Sequence, residues 1–247
     1  MPVAVVTGAS KGLGRALARG LVDRGWSVVV DARDGRALED AAGGLRPHLH
    51  PGAAVVAVAG DVADPGHRRV LVRAAAELGP LDLLVNNAST LGPTPLPDLA
   101  ALPPHDVRYI LETDVVAPLA LIQEALPALR RAPAPSVLNV TSDAAVEAYR
   151  GWGGYGLAKA ALDHLSAVLG VEEPDLAVWA VDPGDMRTAM HQAAFPGEDI
   201  SDRPAPEEVV PALLALVEAR PPSGRYRAAE IDLGAGAEPA ATTEAGR

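Results

Sequence analysis

Short apolar segments alternate with helical segments along almost the whole chain, and this alternation restricts the fold more than any other feature. Seven of these segments are predicted to be β-strands because they are short and almost continuously apolar, as strands buried on both faces are. Regular alternation of strands and helices requires right-handed crossovers between parallel strands. The sequence therefore predicts an α/β fold, a doubly wound parallel sheet in a single domain, with strands at 3–7, 27–31, 53–59, 81–86, 136–141, 176–181 and 225–232.

Composition excludes several classes of function. Hydrophobic residues make up 49% of the 247 residues, which is enough for a core, and no cysteine is available for disulfides, thiolate catalysis or zinc. The net charge of −11 disfavours nucleic acid, an anionic membrane and an acidic carrier protein as partners. The six histidines show no metal-ligand spacing, so no metal is expected. Because neither a secretory signal nor a long apolar run is visible, we expect a cytoplasmic protein.

A glycine-rich turn follows the first predicted strand. Gly8, Gly12 and Gly14 have the spacing Gly-x3-Gly-x-Gly, which lets the backbone approach a pyrophosphate at the start of a helix. Any tight turn between a strand and a helix can use glycines, but the position after the first strand favours nucleotide binding. The predicted cofactor site also includes the residues between the glycines, namely Ser10, Lys11 and Leu13.

A tyrosine and a lysine provide candidate acid–base chemistry. Tyr155 and Lys159 are four residues apart on a predicted helix, so their side chains share one face. A nearby ammonium lowers the pKa of a phenol, which could then donate its proton to the alkoxide left by hydride attack. Ser142 ends the fifth predicted strand, where its hydroxyl can hold a substrate carbonyl. An ordinary surface pair would explain Tyr155 and Lys159 alone, but not together with Ser142 and the glycine turn.

Taken in order, these motifs resemble the short-chain dehydrogenase/reductase family over about residues 3–234. The resemblance implies a Rossmann fold, hydride transfer with a nicotinamide cofactor, and Ser142, Tyr155 and Lys159 as catalytic residues. Residues 86–88 match the family's Asn-Asn-Ala-Gly motif, except that Ser89 replaces the glycine. The resemblance also implies that further residues contact the cofactor: Asp61, Val62, Asn87, Ala88, Tyr155, Lys159, Pro183, Gly184, Met186 and Thr188.

One catalytic position departs from the family. Asp114 stands where the resemblance places an Asn that supports a water relay to the lysine, partly through its backbone carbonyl. A carboxylate there could instead attract Lys159 and raise the pKa of Tyr155. Alternatively, Asp114 is a helix-interior side chain that is hydrogen-bonded to water. The sequence leaves both possibilities open.

The end of the second strand bears on the choice of cofactor. A carboxylate that binds the ribose hydroxyls selects NAD, whereas an arginine near the 2′-phosphate selects NADP. The family's acidic position falls on Ala32, and Arg33 falls on the phosphate-binding position, with Lys11 as a second base in the glycine turn. Asp31 is a contrary signal one residue earlier. We therefore expect NADP(H).

The predicted function is NADPH-dependent reduction of a small ketone or diketone, with Tyr155 as the acid. Residues 86–92, 169–174 and 186–192 look like the sepiapterin reductase and benzil reductase branch of the family. Two alternatives stay open, a 3-oxoacyl reductase acting on a carrier or coenzyme A, and a catalytically silent dinucleotide-sensing regulator. The family resemblance also implies a homodimer or homotetramer formed through the helices at 104–131 and 153–170.

Two segments are predicted to lack regular secondary structure. Residues 183–206 are rich in Pro and Gly, and the part from 185 to 204 is a candidate lid over the substrate. Residues 234–247 are small and polar and are expected to form a loose tail.

Overall fold

The computed structural model describes residues 1–232, which form a seven-stranded parallel sheet in the order β3-β2-β1-β4-β5-β6-β7. The predicted doubly wound α/β fold is thereby confirmed. Because β4 pairs with β1 on the side opposite β2, the strand order reverses there, and ligands bind beside the carboxyl ends of such strands. The strands are β1 (Val3–Val6), β2 (Ser27–Ala32), β3 (Val55–Ala59), β4 (Leu83–Asn86), β5 (Ser136–Val140), β6 (Ala177–Asp182) and β7 (Gly224–Arg227).

Eight helices flank the sheet within the described residues: α1 (Gly12–Val22), α2 (Gly35–Leu45), α3 (Pro65–Leu78), α4 (Pro104–Leu111), α5 (Ala117–Leu129), α6 (Gly153–Glu172), α7 (Ala189–Ala194) and α8 (Pro206–Ala219). Ala4 and Val6 pack towards α1, α2 and α8, whereas Val3 and Val5 pack towards α3, α5 and α6. The inner strands are apolar at nearly every position because helices cover both faces. No helix in residues 1–232 is long and apolar enough to cross a membrane.

The two edge strands depart from the expected burial. Residues of β3 are only half-buried, and those of β7 alternate between half-buried and exposed, because an edge strand has one flank without a neighbour. The last strand was expected to reach residue 232, but it ends at Arg227 and a 3₁₀ turn follows at Ala228–Glu230.

The predicted helix at 104–131 is interrupted. Its first part ends at Leu111, Glu112–Val116 is π-helical, and α5 begins at Ala117. Pro118 has no N–H, so it cannot donate the regular helical hydrogen bond to the carbonyl of Asp114 four residues earlier. The predicted long helix is therefore present from Pro104 to Leu129, but it contains a π-helical segment at the position where the chain departs from its family.

The candidate lid is partly regular. Within the segment that was expected to be irregular, α7 forms six residues of helix, and Thr188 caps its start by accepting a hydrogen bond from the backbone of His191. The expected tail at 234–247 lies outside the described residues.

Candidate active site

A cleft of about 1130 Å³ opens at the carboxyl edge of the sheet, where β1 and β4 diverge. Nearly all of the residues predicted to bind the cofactor or to catalyse line this cleft. The exceptions are Gly14 and Asp114, which support lining residues from behind: Gly14 packs against Asn87 and Gly8, and Asp114 against Ser89 and Thr90. The fold thus brings the predicted residues from distant parts of the sequence to one place.

The glycine turn is packed too closely for side chains. Gly8 has a φ of +67°, and a Cβ there would lie 2.9 Å from the Cα of Ala88. A Cβ at Gly14 would lie 2.6 Å from the carbonyl oxygen of Gly8. The Asn87 amide donates hydrogen bonds to the carbonyls of Thr7 (2.8 Å) and Gly8, and the Thr7 hydroxyl accepts from the backbone of Asn87 and Ala88. These bonds tie the turn to the segment after β4.

The start of α1 forms an anion site. Lys11 is the N-cap of α1, and in the part of the chain that the structure describes no side chain caps the first turn. The backbone N–H groups of that turn are therefore available to a phosphate, and the helix dipole favours negative charge there. The backbone turn and the free helix end fit the pyrophosphate of a dinucleotide.

The far end of the cleft lies beside β2. Arg33 lines the cleft and its Nη1 donates to the Tyr109 hydroxyl at 2.9 Å. Asp31 is 1% exposed, and its Oδ1 accepts from the backbone N–H of Gly8 at 2.7 Å. The other oxygen, Oδ2, lies 2.9 Å from Nε2 of His67. Burial raises the pKa of Asp31, although the bonds from His67 and Gly8 act in the opposite direction.

No pattern in the sequence predicts the contact between Asp31 and His67. His67 is packed on α3, 36 residues away from Asp31 in the sequence. A pairing over that distance depends on the tertiary fold rather than on local spacing. Asp31, the contrary signal in the choice of cofactor, is thus already engaged by protein groups through both oxygens.

Lys159 connects the catalytic residues. Its Nζ donates to the carbonyl of Val140 at 3.0 Å and lies 5.3 Å from the centre of the Tyr155 ring. The same Nζ is 3.6 Å from Oδ2 of Asp114. Lys159 and Asp114 are both buried. The two charges therefore form a buried ion pair directly behind Tyr155.

Asp114 is bonded to protein groups and lies beside Lys159, which favours the first of the two possibilities left open by the sequence. Its Oδ2 accepts from the Ser89 hydroxyl at 2.7 Å, and its Oδ1 accepts from the Thr90 backbone at 2.9 Å. Burial raises the pKa of Asp114, while Lys159 and these hydrogen bonds lower it in part. Ser89 and Asp114 are the two departures from the family motifs, and they contact each other.

The pKa of Tyr155 is raised, chiefly by burial and then by the negative charge of Asp114. Hydrogen bonding with Ser89 and Ser142 acts in the opposite direction. Burial and the Asp114 charge thus act on the pKa of Tyr155 in the direction opposite to the one expected from Lys159. A raised pKa keeps the phenol protonated at neutral pH, which is the form that donates a proton.

Ser142 follows β5 and begins a 3₁₀ turn. Its hydroxyl donates to Oδ1 of Asp143 at 2.8 Å and accepts from the backbone of Ala144. Asp143 was not among the predicted site residues, although it lines the same cleft. In the sequence, only the position of Asp143 directly after Ser142 indicates that it belongs to the site.

The substrate end of the cleft is apolar and aromatic. The Trp152 ring lies 5.6 Å from that of Tyr155 and 5.9 Å from that of Phe195, the chain's only phenylalanine. Leu91 and Met190 belong to the same apolar cluster as Trp152 and Tyr155, and all four line the cleft, whereas Phe195 packs on Trp152 outside the lining. In residues 1–232, no group of three or more acidic or histidine side chains is placed to hold a metal ion.

Comparison with known proteins agrees with this geometry. The sequence matches the family described as short chain dehydrogenase over residues 2–199. It is 36% identical over 205 residues to the sepiapterin reductase of Meriones unguiculatus, covering 78% of this chain and 77% of that protein. A rhamnolipids biosynthesis 3-oxoacyl-(acyl-carrier-protein) reductase of Pseudomonas aeruginosa is 34% identical over 176 residues, which is 69% of this chain and 66% of that protein.

Solved structures show the same architecture. A short chain dehydrogenase from Shigella flexneri complexed with NADP has a TM-score of 0.85 and 26% identity, and the alignment covers 92% of this chain and 97% of that one. The fold, the cleft and these similarities define an oxidoreductase of the Rossmann type. This chain belongs to the short-chain dehydrogenase family, as its motifs predicted. The predicted likeness to sepiapterin reductases is also confirmed.

Proposed function

We propose that this chain catalyses the NADPH-dependent reduction of a small aromatic ketone or diketone to an alcohol. One observation carries the proposal: a single cleft holds a phosphate-binding turn at one end and Tyr155 with Ser142 and Lys159 at the other. The nicotinamide cofactor supplies the hydride to the carbonyl carbon when it is bound.

The chain's own residues supply the proton and the orientation. The Ser142 hydroxyl holds the substrate carbonyl oxygen, and Tyr155 gives its phenolic proton to that oxygen as negative charge develops on it. Hydride on carbon and a proton on oxygen together complete the alcohol. Lys159 stabilises the phenolate that remains, and its own position is fixed by Val140 and Asp114.

The preference for NADPH rests on charge at the β2 end of the cleft. Arg33 and Lys11 line this end and can bind the 2′-phosphate, while Asp31 is buried and bonded to Gly8 and His67. The Shigella flexneri relative, which is described as complexed with NADP, supports the same choice.

The apolar end of the cleft supports an aromatic substrate. Only 3% of the residues are aromatic, yet the Trp152 and Tyr155 rings both line this end of the cleft, where they can pack against a planar substrate. Residues 185–204 are proposed to act as a lid, because α7 carries Met190 into this cluster. The similarity to proteins named sepiapterin reductase supports reduction as the reaction.

A substrate screen tests this proposal. Purified protein is mixed with NADPH and, in parallel, with aryl diketones, aryl monoketones and 3-oxoacyl thioesters of coenzyme A, and the loss of NADPH absorbance is measured. We expect kcat/KM to be highest for the aromatic compounds. The Pseudomonas aeruginosa relative favours the 3-oxoacyl alternative, so higher kcat/KM for the thioesters would establish that function instead. Tight NADPH binding without any turnover would support the dinucleotide-sensing alternative.

We also propose a homodimer or homotetramer. Exposed apolar side chains project from the two helical segments expected at the interface, namely Tyr109, Val116, Leu119, Leu157 and Val168. Burying such side chains between copies of the chain removes apolar surface from water. Light scattering at micromolar concentration should give at least twice the monomer mass, and a monomer mass would contradict this proposal.

A further inference from the structure

The pair formed by Asp31 and His67 lies beside the position that decides between the two nicotinamide cofactors. Ala32 occupies the site where the family resemblance places an acidic residue for the ribose, and Asp31 precedes it on β2. A carboxylate in this region has two effects on a dinucleotide: it accepts hydrogen bonds from ribose hydroxyls, and it repels a 2′-phosphate. The chain therefore carries a negative group next to a site that is otherwise suited to NADPH.

In the structure, both oxygens of Asp31, a residue that lines the cleft, are engaged by protein groups. Oδ1 accepts from Gly8 N–H at 2.7 Å, and Oδ2 lies 2.9 Å from Nε2 of His67. An ionised carboxylate can only accept, so Nε2 must carry the proton in this bond. Asp31 and His67 are both buried, which makes the hydrogen bond stronger than it would be in water.

Gly60 makes room for this histidine. A Cβ at Gly60, directly after β3, would collide with the His67 ring at Nδ1. Gly60 itself is fixed by a hydrogen bond from its N–H to the carbonyl of Ala32 at 3.0 Å. His67, Gly60 and Asp31 thus form one packed unit beneath the β2 end of the cleft.

We propose that His67 is a specificity-determining residue that preserves the NADPH preference by holding the Asp31 carboxylate against the glycine turn. This inference rests on the proposed NADPH-dependent function. With the Nε2 donor removed, Oδ2 loses its partner, and the carboxylate is free to turn towards the ribose hydroxyls. Its negative charge then opposes the 2′-phosphate that Arg33 and Lys11 are proposed to bind.

The test measures the dissociation constants of NADPH and NADH for each variant by fluorescence titration, so that no turnover is needed. For His67→Leu, we expect the ratio of the NADH Kd to the NADPH Kd to fall about tenfold, because a released carboxylate favours NADH and opposes NADPH. His67→Gln retains a donor for Asp31, and its ratio should stay within about threefold of wild type. The double variant His67→Leu/Asp31→Ser lacks the carboxylate and should also regain the wild-type ratio.

Gly60→Ala provides an independent variant in case His67→Leu does not fold. The added methyl group displaces the His67 ring through the collision at Nδ1, although the histidine itself is kept. The ratio of the NADH Kd to the NADPH Kd should therefore fall in this variant as well. An unchanged ratio in folded His67→Leu or Gly60→Ala would overturn the inference, as would a fall that persists in the double variant. A wild-type ratio near one would overturn the proposed NADPH preference itself, so the two failures are distinguishable.

Discussion

Two buried carboxylates lie on opposite sides of β1, and each is paired with a different basic residue. Asp31, on β2, contacts His67 at 2.9 Å and the backbone of the glycine turn. Asp114, in the π-helical segment, contacts Lys159 at 3.6 Å and the Ser89 hydroxyl. Burial raises the pKa of both carboxyl groups. What differs is the group that each one controls, a cofactor-binding turn in one case and a proton donor in the other.

A buried carboxylate paired with a basic residue therefore has two different roles in this protein. His67 holds the Asp31 carboxylate in place, so this pair is expected to affect which cofactor binds. The partner of Asp114 stands beside Tyr155, so that pair is expected to affect the pH at which a proton moves. Substitutions at one end should therefore change binding and leave proton transfer intact, and the reverse should hold at the other end.

Removal of the proton donor is the strongest test of that separation. Tyr155→Phe should lower kcat by at least about a hundredfold, because a positioned acid contributes roughly 10²–10⁴ to the rate. The NADPH Kd should stay within a few-fold of wild type, since the β2 end of the cleft is untouched. Tyr226→Phe is the matched control, because its hydroxyl donates to the carbonyl of Pro222 at 2.7 Å and Tyr226 lies outside the cleft lining. Turnover retained by Tyr155→Phe would exclude Tyr155 as the acid.

Removal of the phosphate-binding arginine tests the opposite end. Arg33→Ala should weaken NADPH about tenfold or more and leave NADH nearly unchanged, because a hydrogen bond to a charged group contributes about 1.5–3 kcal/mol. At saturating NADPH, kcat should remain close to the wild-type value. Arg36→Ala removes a nearby guanidinium outside the cleft lining and serves as the control in the same titrations. Equal weakening of both cofactors would show that Arg33 is only structural.

The sequence predicts the parts of this molecule that depend on local spacing. Continuous apolar runs predict the inner strands, because helices cover both faces of the sheet. The three glycines of the first turn and the four-residue spacing of Tyr155 and Lys159 predict which residues meet in the cleft. These features are short-range, so they can be recognised before the chain is folded.

The contacts that tune the site are long-range, and the sequence does not predict them. Ser89 and Asp114 are 25 residues apart, and Asp31 and His67 are 36 residues apart. Each pairing requires two elements to pack together in one particular register. The break in the predicted long helix did have a local signal, because Pro118 cannot donate to the carbonyl of Asp114.

The smallest expected effect is a shift in a pH profile. The negative charge of Asp114 raises the pKa of Tyr155, and its contact with Lys159 reduces the stabilisation that the ammonium gives to the phenolate. Asp114→Asn removes the charge and keeps a side chain of similar size. In alcohol oxidation Tyr155 acts as the base, so kcat/KM rises with pH as the phenolate forms. In Asp114→Asn this rise should occur at lower pH, by up to about one pH unit.

The control for this profile changes the same charge on the same helical segment. Glu112→Gln lies two residues before Asp114 and outside the contacts with Lys159 and Ser89, so its profile should match that of wild type. Both variants are compared at saturating cofactor, so that a change in cofactor binding cannot move the curve. An unchanged profile in Asp114→Asn would mean that only the backbone carbonyl at this position matters. A shift common to both variants would reflect the overall charge of the protein, and the proposed contrast between the two buried carboxylates would then be lost.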